Sequence, residues 1–295
     1  MSPDIIGDLE ASGEPNIADA DLVRIAEERG YVIHRPMPAV TPLLEVDTSH
    51  IRGDRVRVAV ISDTHFGSKY QQTTHLRNFL EYARQQGVVG VIHGGDVTDG
   101  PFRRHRNPQE VWLHTWRGMV DYASSEAALP EIGVPYWIIA GNHDDWFLDD
   151  GGADVVEAIC ERRDDLNYLG TPGAFLRFGN VTIEVFHPNE GGAYALSYKL
   201  QKHIEGMPPE EKPHIYLAGN YHKSIHVPGY RNVEGFLLPA YQSRTHWSRG
   251  KRLASIVGGL ILEFGVSDKG LSPSLTTEWV IERVPLNDDW PGGAA

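Results

Sequence analysis

The sequence predicts an α/β fold in which a largely parallel sheet, flanked by helices, packs against a second sheet to give a two-sheet β-sandwich. Three observations carry this. Between about residues 55 and 140, short strands that are apolar on both faces alternate with amphipathic helical stretches, the pattern of a parallel sheet covered on both sides. After Asp165 the texture changes to strands with few helices between them, enough for a second sheet. Finally, several strands run directly into Asp, His or Asn, so the sheet edges are where chemistry is expected.

Taken in chain order, residues 1 to about 17 are polar and broken by Gly and Pro, and read as a mobile start. ADADLVRIAEERG reads as a helix, with Asp19 or Asp21 as its cap, Leu22, Ile25 and Ala26 on one face, and Gly30 as its stop. YVIHRP reads as a short strand, and the whole of residues 1–50 as an appendage for docking. The main domain, 51–284, opens with the strand VRVAVISD and continues with the helix TTHLRNFLEYARQQG and the strand VVGVIHGGD. QEVWLHTWRGMVDYASSEAALPEIG reads as helical and PYWIIAGNHD as the next strand. The segments FLRFGNVTIEVFHP, HIYLAGNYH, EGFLLPAYQ, ASIVGGLILEF and TTEWVIERV are the strands of the second texture. Residues 285–295, containing NDDWPGGAA, read as a flexible tail.

The bulk composition narrows the function. In 295 residues there are 27 basic and 40 acidic side chains, a net charge of −13, so any contact with a polyanion must come from a local basic patch. Cys160 is the single cysteine, which rules out an internal disulfide and a thiolate cluster; a metal would have to be held by oxygen and imidazole, and cytoplasmic residence is expected. No basic-then-apolar leader opens the chain and no apolar run reaches membrane-spanning length, so no membrane partner is expected.

The residues that follow the strands come from the small set that binds hard or borderline cations. VISDTH supplies Asp63 and His65, HGGDVTDG supplies Asp96 and Asp99, AGNHDD supplies Asn142, His143 and Asp144, and EVFHP supplies His187. Loops at the carboxyl ends of strands in such a sheet converge on one crevice. Asp63 and His65, two apart, can face one side if the strand continues through them. Each motif alone is more often a surface turn; four in this order, each behind an apolar strand, favour a metal site. Mixed oxygen and nitrogen donors suit manganese, iron, zinc or nickel.

With these motifs the sequence resembles the calcineurin-like metallophosphoesterases over roughly residues 55 to 265. The family pattern is D-x-H, G-D-x-x-D-G, G-N-H-D or G-N-H-E, a single His, and G-H-x-H. The resemblance implies a sandwich of two sheets flanked by helices and two divalent ions, manganese first among them. It implies that Asp63 and His65 hold the first ion, that Asp96 bridges, that Asn142 and His187 hold the second, and that His222 returns to the first. His143 would be the outer histidine that touches phosphate and leaving group, catalytic together with Asp144, with Asp144 or Asp99 as supporting partners. A pair of ions about 3.5–4 Å apart acidifies a trapped water and clamps the phosphate during in-line attack. The activity implied is phosphoester hydrolysis by metal-activated hydroxide.

One position departs from the pattern. AGNYHKS places Asn220 where the family has a metal-binding histidine, two residues before His222. An amide oxygen is a weaker ligand than imidazole for transition ions, so the second ion is expected to be held more loosely. A natural Asn ligand, a member that binds without catalysing, and a deliberate His-to-Asn change are all compatible with the sequence.

For the substrate, PFRRHR carries Arg103, Arg104 and Arg106, and QSRTHWSRGKR carries Arg244 with Trp247 nearby. Basic residues with aromatics beside a metal site can hold a phosphate backbone and stack a base; solvated surface is the alternative for RRHR. For Trp112 and Trp116 the expectation is core packing. A phosphodiester, nucleotide or nucleic acid leads as substrate, with a phosphomonoesterase or a non-catalytic interaction scaffold as alternatives.

Overall fold

The computed structural model describes residues 41–49, 54–266 and 274–293. The helix and strand expected before residue 40 lie outside the described residues.

Two six-stranded sheets form the centre. The first contains β2 (Arg55–Ile61), β3 (Val91–His93), β4 (Tyr136–Ile139), β5 (Leu166–Gly170), β11 (Val257–Gly265) and β12 (Leu275–Glu282), in the order β12-β11-β2-β3-β4-β5. From β2 to β5 the pairs are parallel; β11 runs antiparallel to both its neighbours. The second sheet contains β1 (Leu43–Val46), β6 (Gly173–Phe178), β7 (Val181–Phe186), β8 (Ile215–Ala218), β9 (Ile225–Tyr230) and β10 (Val233–Leu237), in the order β1-β6-β7-β8-β10-β9.

The double apolarity of the strands is explained by the layers on either side. In β2, Val58 and Val60 enter the core between the sheets with Ile92, Ile183, Val185, Leu217 and Phe236, while Ala59 and Ile61 enter a second core under helices. Those helices are α1 (Thr73–Gln85), α2 (Trp116–Ala123), α3 (Asn142–Gly151) and α4 (Val155–Cys160). In α1, Leu76, Phe79, Leu80 and Ala83 are buried at the i, i+3, i+4, i+7 spacing of one helix face. On the outer face of the second sheet, Leu200 and Ile204 of α5 (Tyr198–Gly206) cover Tyr216, Ala218 and Val233. The short α6 (His246–Gly250) follows β10 and is capped by Thr245.

Two expectations are corrected. The helix expected from Gln109 onward starts only at Trp116, because residues 110–112 pair by backbone with the loop after β2: Lys69 N donates to Glu110 O and Trp112 N to Gly67 O. The stretch opening with Asn142 is a helix, not the continuation of a strand; α5 is one of the few helices expected among the later strands. Trp112 lies in a loop against Tyr122, and Trp116 begins α2 against Phe147. The stretch read as a flexible tail makes contacts that reading did not anticipate: Leu286 N donates to Gln72, Asp289 accepts from the amide and hydroxyl of Thr74, and Trp290 stacks on Trp112.

Candidate metal centre

Every candidate ligand follows the carboxyl end of a strand. Asp63 and His65 follow β2, Asp96 follows β3, Asn142 opens α3 after β4, His187 follows β7, and Asn220 and His222 follow β8. Because β2, β3 and β4 are mutually parallel, and β7 is parallel to β8, these ends fall together. Backbone pairing continues past the strands, with Asp63 N donating to Gly95 O, His65 N to Asp96 O and Gly219 N to Phe186 O, which fixes the loops that carry the side chains.

Asp63 and His65 share a side for a reason other than strand alternation. The strand ends at Ile61, and both residues lie in left-handed backbone, at φ of 52° and 45°. Asp96 (φ 49°), Asn220 (φ 69°) and His222 (φ 52°) adopt the same region. Such conformations cluster where function overrides local preference.

Among the described residues the side chains meet in three groups with ligand atoms within 4.8 Å of one another: Asp63, His65 and His222; Asp63, Asp96 and His187; and His65, Asp99 and His143. His222 Nε2 is 3.1 Å from Asp63 Oδ1, His187 Nε2 is 3.3 Å from Asp96 Oδ2, and His65 Nε2 is 3.6 Å from the same Asp96 oxygen. The opposite nitrogens are occupied. His65 Nδ1 donates to Asp99 Oδ1 at 2.9 Å, His187 Nδ1 donates to Gly94 O at 2.6 Å, and His222 Nδ1 donates to Ser255 Oγ at 3.1 Å. Each ring is thereby oriented with Nε2 facing inward, the orientation that outer partners impose on metal-binding histidines. Among the described residues, the buried polar atoms left without a hydrogen bond include His65 Nε2, Asn142 Oδ1 and His187 Nε2. Buried acceptors are rarely left unsatisfied, and three of them around Asp96 fit a cation.

The electrostatics agree. Burial alone would raise the carboxyls of Asp63 and Asp96, yet both lie below the ordinary range because the charges of His222 and His187 for Asp63, and of His187 and His143 for Asp96, outweigh it. Burial would lower His65, but its hydrogen bond to Asp99 and the charges of Asp96, Asp99 and Asp63 hold it up at about 9. His187 is likewise held at about 10 by Asp96 against its burial. A buried carboxylate cluster that demands this much positive charge is suited to divalent ions.

His143 stands beside the cluster, its ring centroid 4.7 Å from that of His65 and 4.1 Å from that of Trp146. Its Nδ1 donates to the carbonyl of Asp99 at 3.1 Å, and its backbone N donates to Asp96 Oδ1 at 2.8 Å. Burial pulls its pKa down to about 4. The centre opens into a cavity of about 690 Å³ whose lining includes His143, Arg104, Arg106, Lys223, Tyr194 and Trp247.

Several expected roles change. Asp144, read as catalytic, does not line the cavity; its carboxylate accepts from Val97 N, Gly141 N, Thr98 N and Thr98 Oγ1 at 2.7–2.9 Å, and so ties the loop after β3 to the start of α3. Arg103 and Arg244, read as substrate contacts, are exposed and outside the lining, whereas Arg104 and Arg106 are on it. Arg104 also pairs with Asp150 at 2.5 Å. Residues that sequence reasoning missed include Gln242, which donates to Asp99 Oδ1, and Ser255, which receives His222 and itself donates to Gln242 O. Nothing local marks them, since Gln242 reaches Asp99 143 residues away and Ser255 reaches His222 33 residues away. Glu190 was also missed: its carboxylate accepts from Lys199, His203 and Tyr221, and its carbonyl accepts from Asn220 Nδ2 at 2.7 Å.

Residues 56–189 match the model of the calcineurin-like phosphoesterase family. The chain is 26% identical over 229 residues to a DNA double-strand break repair protein Mre11 from Sulfurisphaera tokodaii, covering 72% of this chain and 54% of the relative; it thus spans about half the length of that curated protein. Among solved structures it is similar to vacuolar protein sorting 29 from Cryptosporidium parvum (TM-score 0.42, 11% identity, 78% of this chain and 100% of the other). It is also similar to GAP50 from Plasmodium, described as the anchor in the inner membrane complex (TM-score 0.44, 11% identity, 80% and 87%). The segment that matches the calcineurin-like phosphoesterase family, residues 56–189, carries the Asp63, His65, Asp96 and His187 whose ligand atoms meet in space, together with Asn142 on the same cavity.

Proposed function

We propose that the chain is a two-metal phosphodiesterase acting on a nucleotide or nucleic-acid diester. The observation that carries the reading is the set of buried, unpartnered ligand atoms, His65 Nε2, Asn142 Oδ1 and His187 Nε2, near the Asp96 carboxylate, with His65, Asp96 and Asn142 on the wall of a cavity. Asp63, His65, Asp96 and His222 would hold one ion and Asp96, Asn142, His187 and Asn220 the other, with manganese the leading candidate. Bound there, the ions supply an acidified water and neutralise phosphate oxygens.

The remaining work falls to the chain's own side chains. Arg106, Lys223 and, in part, Arg104 place positive charge on the cavity wall of a protein whose net charge is −13, which favours a phosphodiester over a neutral substrate. His143, fixed through Nδ1 on the Asp99 carbonyl, has Nε2 left to contact the phosphate and the departing oxygen. Tyr194 and Trp247, both exposed on the lining, are available to stack a base. The relative's name, a DNA repair protein, supports a nucleic-acid diester. Among the described residues no helix is long and apolar enough to cross a membrane; cytoplasmic residence is part of this proposal.

The test is hydrolysis of bis-p-nitrophenyl phosphate against p-nitrophenyl phosphate by ion-stripped protein given manganese, with a chelator arm. Manganese-dependent diester turnover exceeding monoester turnover is expected. A monoester preference would redirect the reading to a phosphatase, and no turnover of either would leave an interaction scaffold.

A further inference from the structure

The two halves of the centre do not offer the same donors. The group of Asp63, His65 and His222 has two imidazoles, whereas the group of Asp63, Asp96 and His187 has one, and the further donors on the cavity are amides, the buried and unpartnered Asn142 Oδ1 and Asn220. We infer that the centre is chemically asymmetric: the nitrogen-rich half accepts zinc or another late transition ion, and the oxygen-rich half prefers manganese or magnesium and holds zinc poorly. The inference rests on the two-metal reading above.

The orientation of Asn220 is set by its surroundings. Its Nδ2 is spent on the Glu190 carbonyl, which can only accept, so Oδ1 is the atom it has to offer an ion. Glu190 cannot easily move away, because its carboxylate is engaged by Lys199, His203 and Tyr221. The backbone N of Asn220 donates to both oxygens of Asp63, so the residue is fixed at both ends. Amide and carboxylate oxygens suit magnesium and manganese, while imidazole raises affinity along the series toward copper and zinc. Asn220 thus places a hard ligand where an imidazole would make the halves alike.

Equilibrium dialysis of the ion-stripped full chain, with bound metal counted by mass spectrometry, reads this without turnover. Zinc alone should fill two steps separated by at least about ten-fold, the lower end of what loss of a mere outer partner costs, and manganese should fill both within a narrower range. Asn220→His should bring the second zinc step close to the first; the backbone accommodates it, since His65 and His222 already occupy left-handed conformations in this site. His222→Asn is the reciprocal variant and should weaken the tighter zinc step. Two zinc ions of equal affinity in the wild type, or a weak step unmoved by Asn220→His, would overturn the asymmetry while leaving the two-metal reading standing. A wild-type chain that binds neither metal would overturn both.

Discussion

Gly141 offers the sharpest test of how the centre is held. Its backbone is ordinary (φ −115°, ψ −178°), so any residue could adopt it. What it lacks is room: a Cβ there would sit 2.2 Å from the backbone N of Asp96, 2.3 Å from its Oδ1 and 2.9 Å from its Cγ. Non-bonded heavy atoms rest at about 3.5 Å or more, so Gly141→Ala demands that Asp96 or the start of α3 give way by roughly 1 Å. Neither yields freely. The loop is held by Asp63 N on Gly95 O and by His65 N on Asp96 O, and α3 is tied to it through Asp144 and through His143 N on Asp96 Oδ1. Overpacking of this kind costs about 1–3 kcal/mol of stability, a drop of several degrees in melting temperature for a domain of this size. A displacement of about 1 Å in a shared ligand is expected to lower turnover on the order of 100-fold. The assay is manganese-dependent hydrolysis of bis-p-nitrophenyl phosphate alongside a thermal melt. Gly151→Ala, at the other end of α3 where a Cβ meets nothing within 4 Å, serves as the control and should be neutral. If Gly141→Ala turns over within about three-fold of wild type at matched manganese, the case for Asp96 as a tightly positioned shared ligand fails, because the rate would be blind to a shift worth about 100-fold.

Other expectations follow from the same geometry. Asp96→Asn should lose at least one ion, and unchanged stoichiometry by mass spectrometry would contradict its bridging place between the halves. His143→Ala should keep its full metal content while turnover falls by roughly 10²–10⁴-fold, the range for a positioned proton-handling group; a loss of metal instead would make His143 a ligand. Away from the site, burial and the charge of Glu211 push Glu184 up from 4.5 to about 7. A carboxyl raised in the folded state contributes stability that is complete below about 4.5 and is lost as pH climbs through about 7, at most about 3 kcal/mol here. Glu184→Gln should therefore flatten the pH dependence of urea unfolding between pH 4.5 and 8, and an unaltered slope would remove Glu184 from the account.

Much of this was legible in the chain because local pattern and tertiary demand coincide. VRVAVI had to be a strand buried on both faces, and in the structure Val58 and Val60 meet the second sheet while Ala59 and Ile61 meet the helices. The candidate ligands were legible because each sits at a strand end, where a parallel sheet gathers its loops. What escaped lies in long-range contact. The helical pattern around residues 109–115 was overridden by backbone bonds to Gly67 and Lys69, and the apolar face of α5 takes its meaning from Tyr216 and Val233. Asp144 looked catalytic beside His143, but only the fold shows its oxygens filled by Thr98, Val97 and Gly141.

The left-handed backbone of the ligands explains why strand periodicity was the wrong guide to the site's geometry. A continuing strand would send Asp63 and His65 to one side with Thr64 opposite, each spaced by the pleat, and would point their amides into the sheet. Turning the chain at Asp63, His65, Asp96, Asn220 and His222 instead sends the side chains inward while the amides stay bonded, Asp63 N to Gly95 O, His65 N to Asp96 O and Asn220 N to the Asp63 carboxylate. Asp, Asn and His are the non-glycine residues that enter this region most readily. The side-chain types that bind a cation are thus also those that tolerate the backbone needed to aim them. That coincidence lets a cluster of five such turns exist without dismantling the sheets on which it is built, and it makes Asn at position 220 a change in donor chemistry with little change in fold.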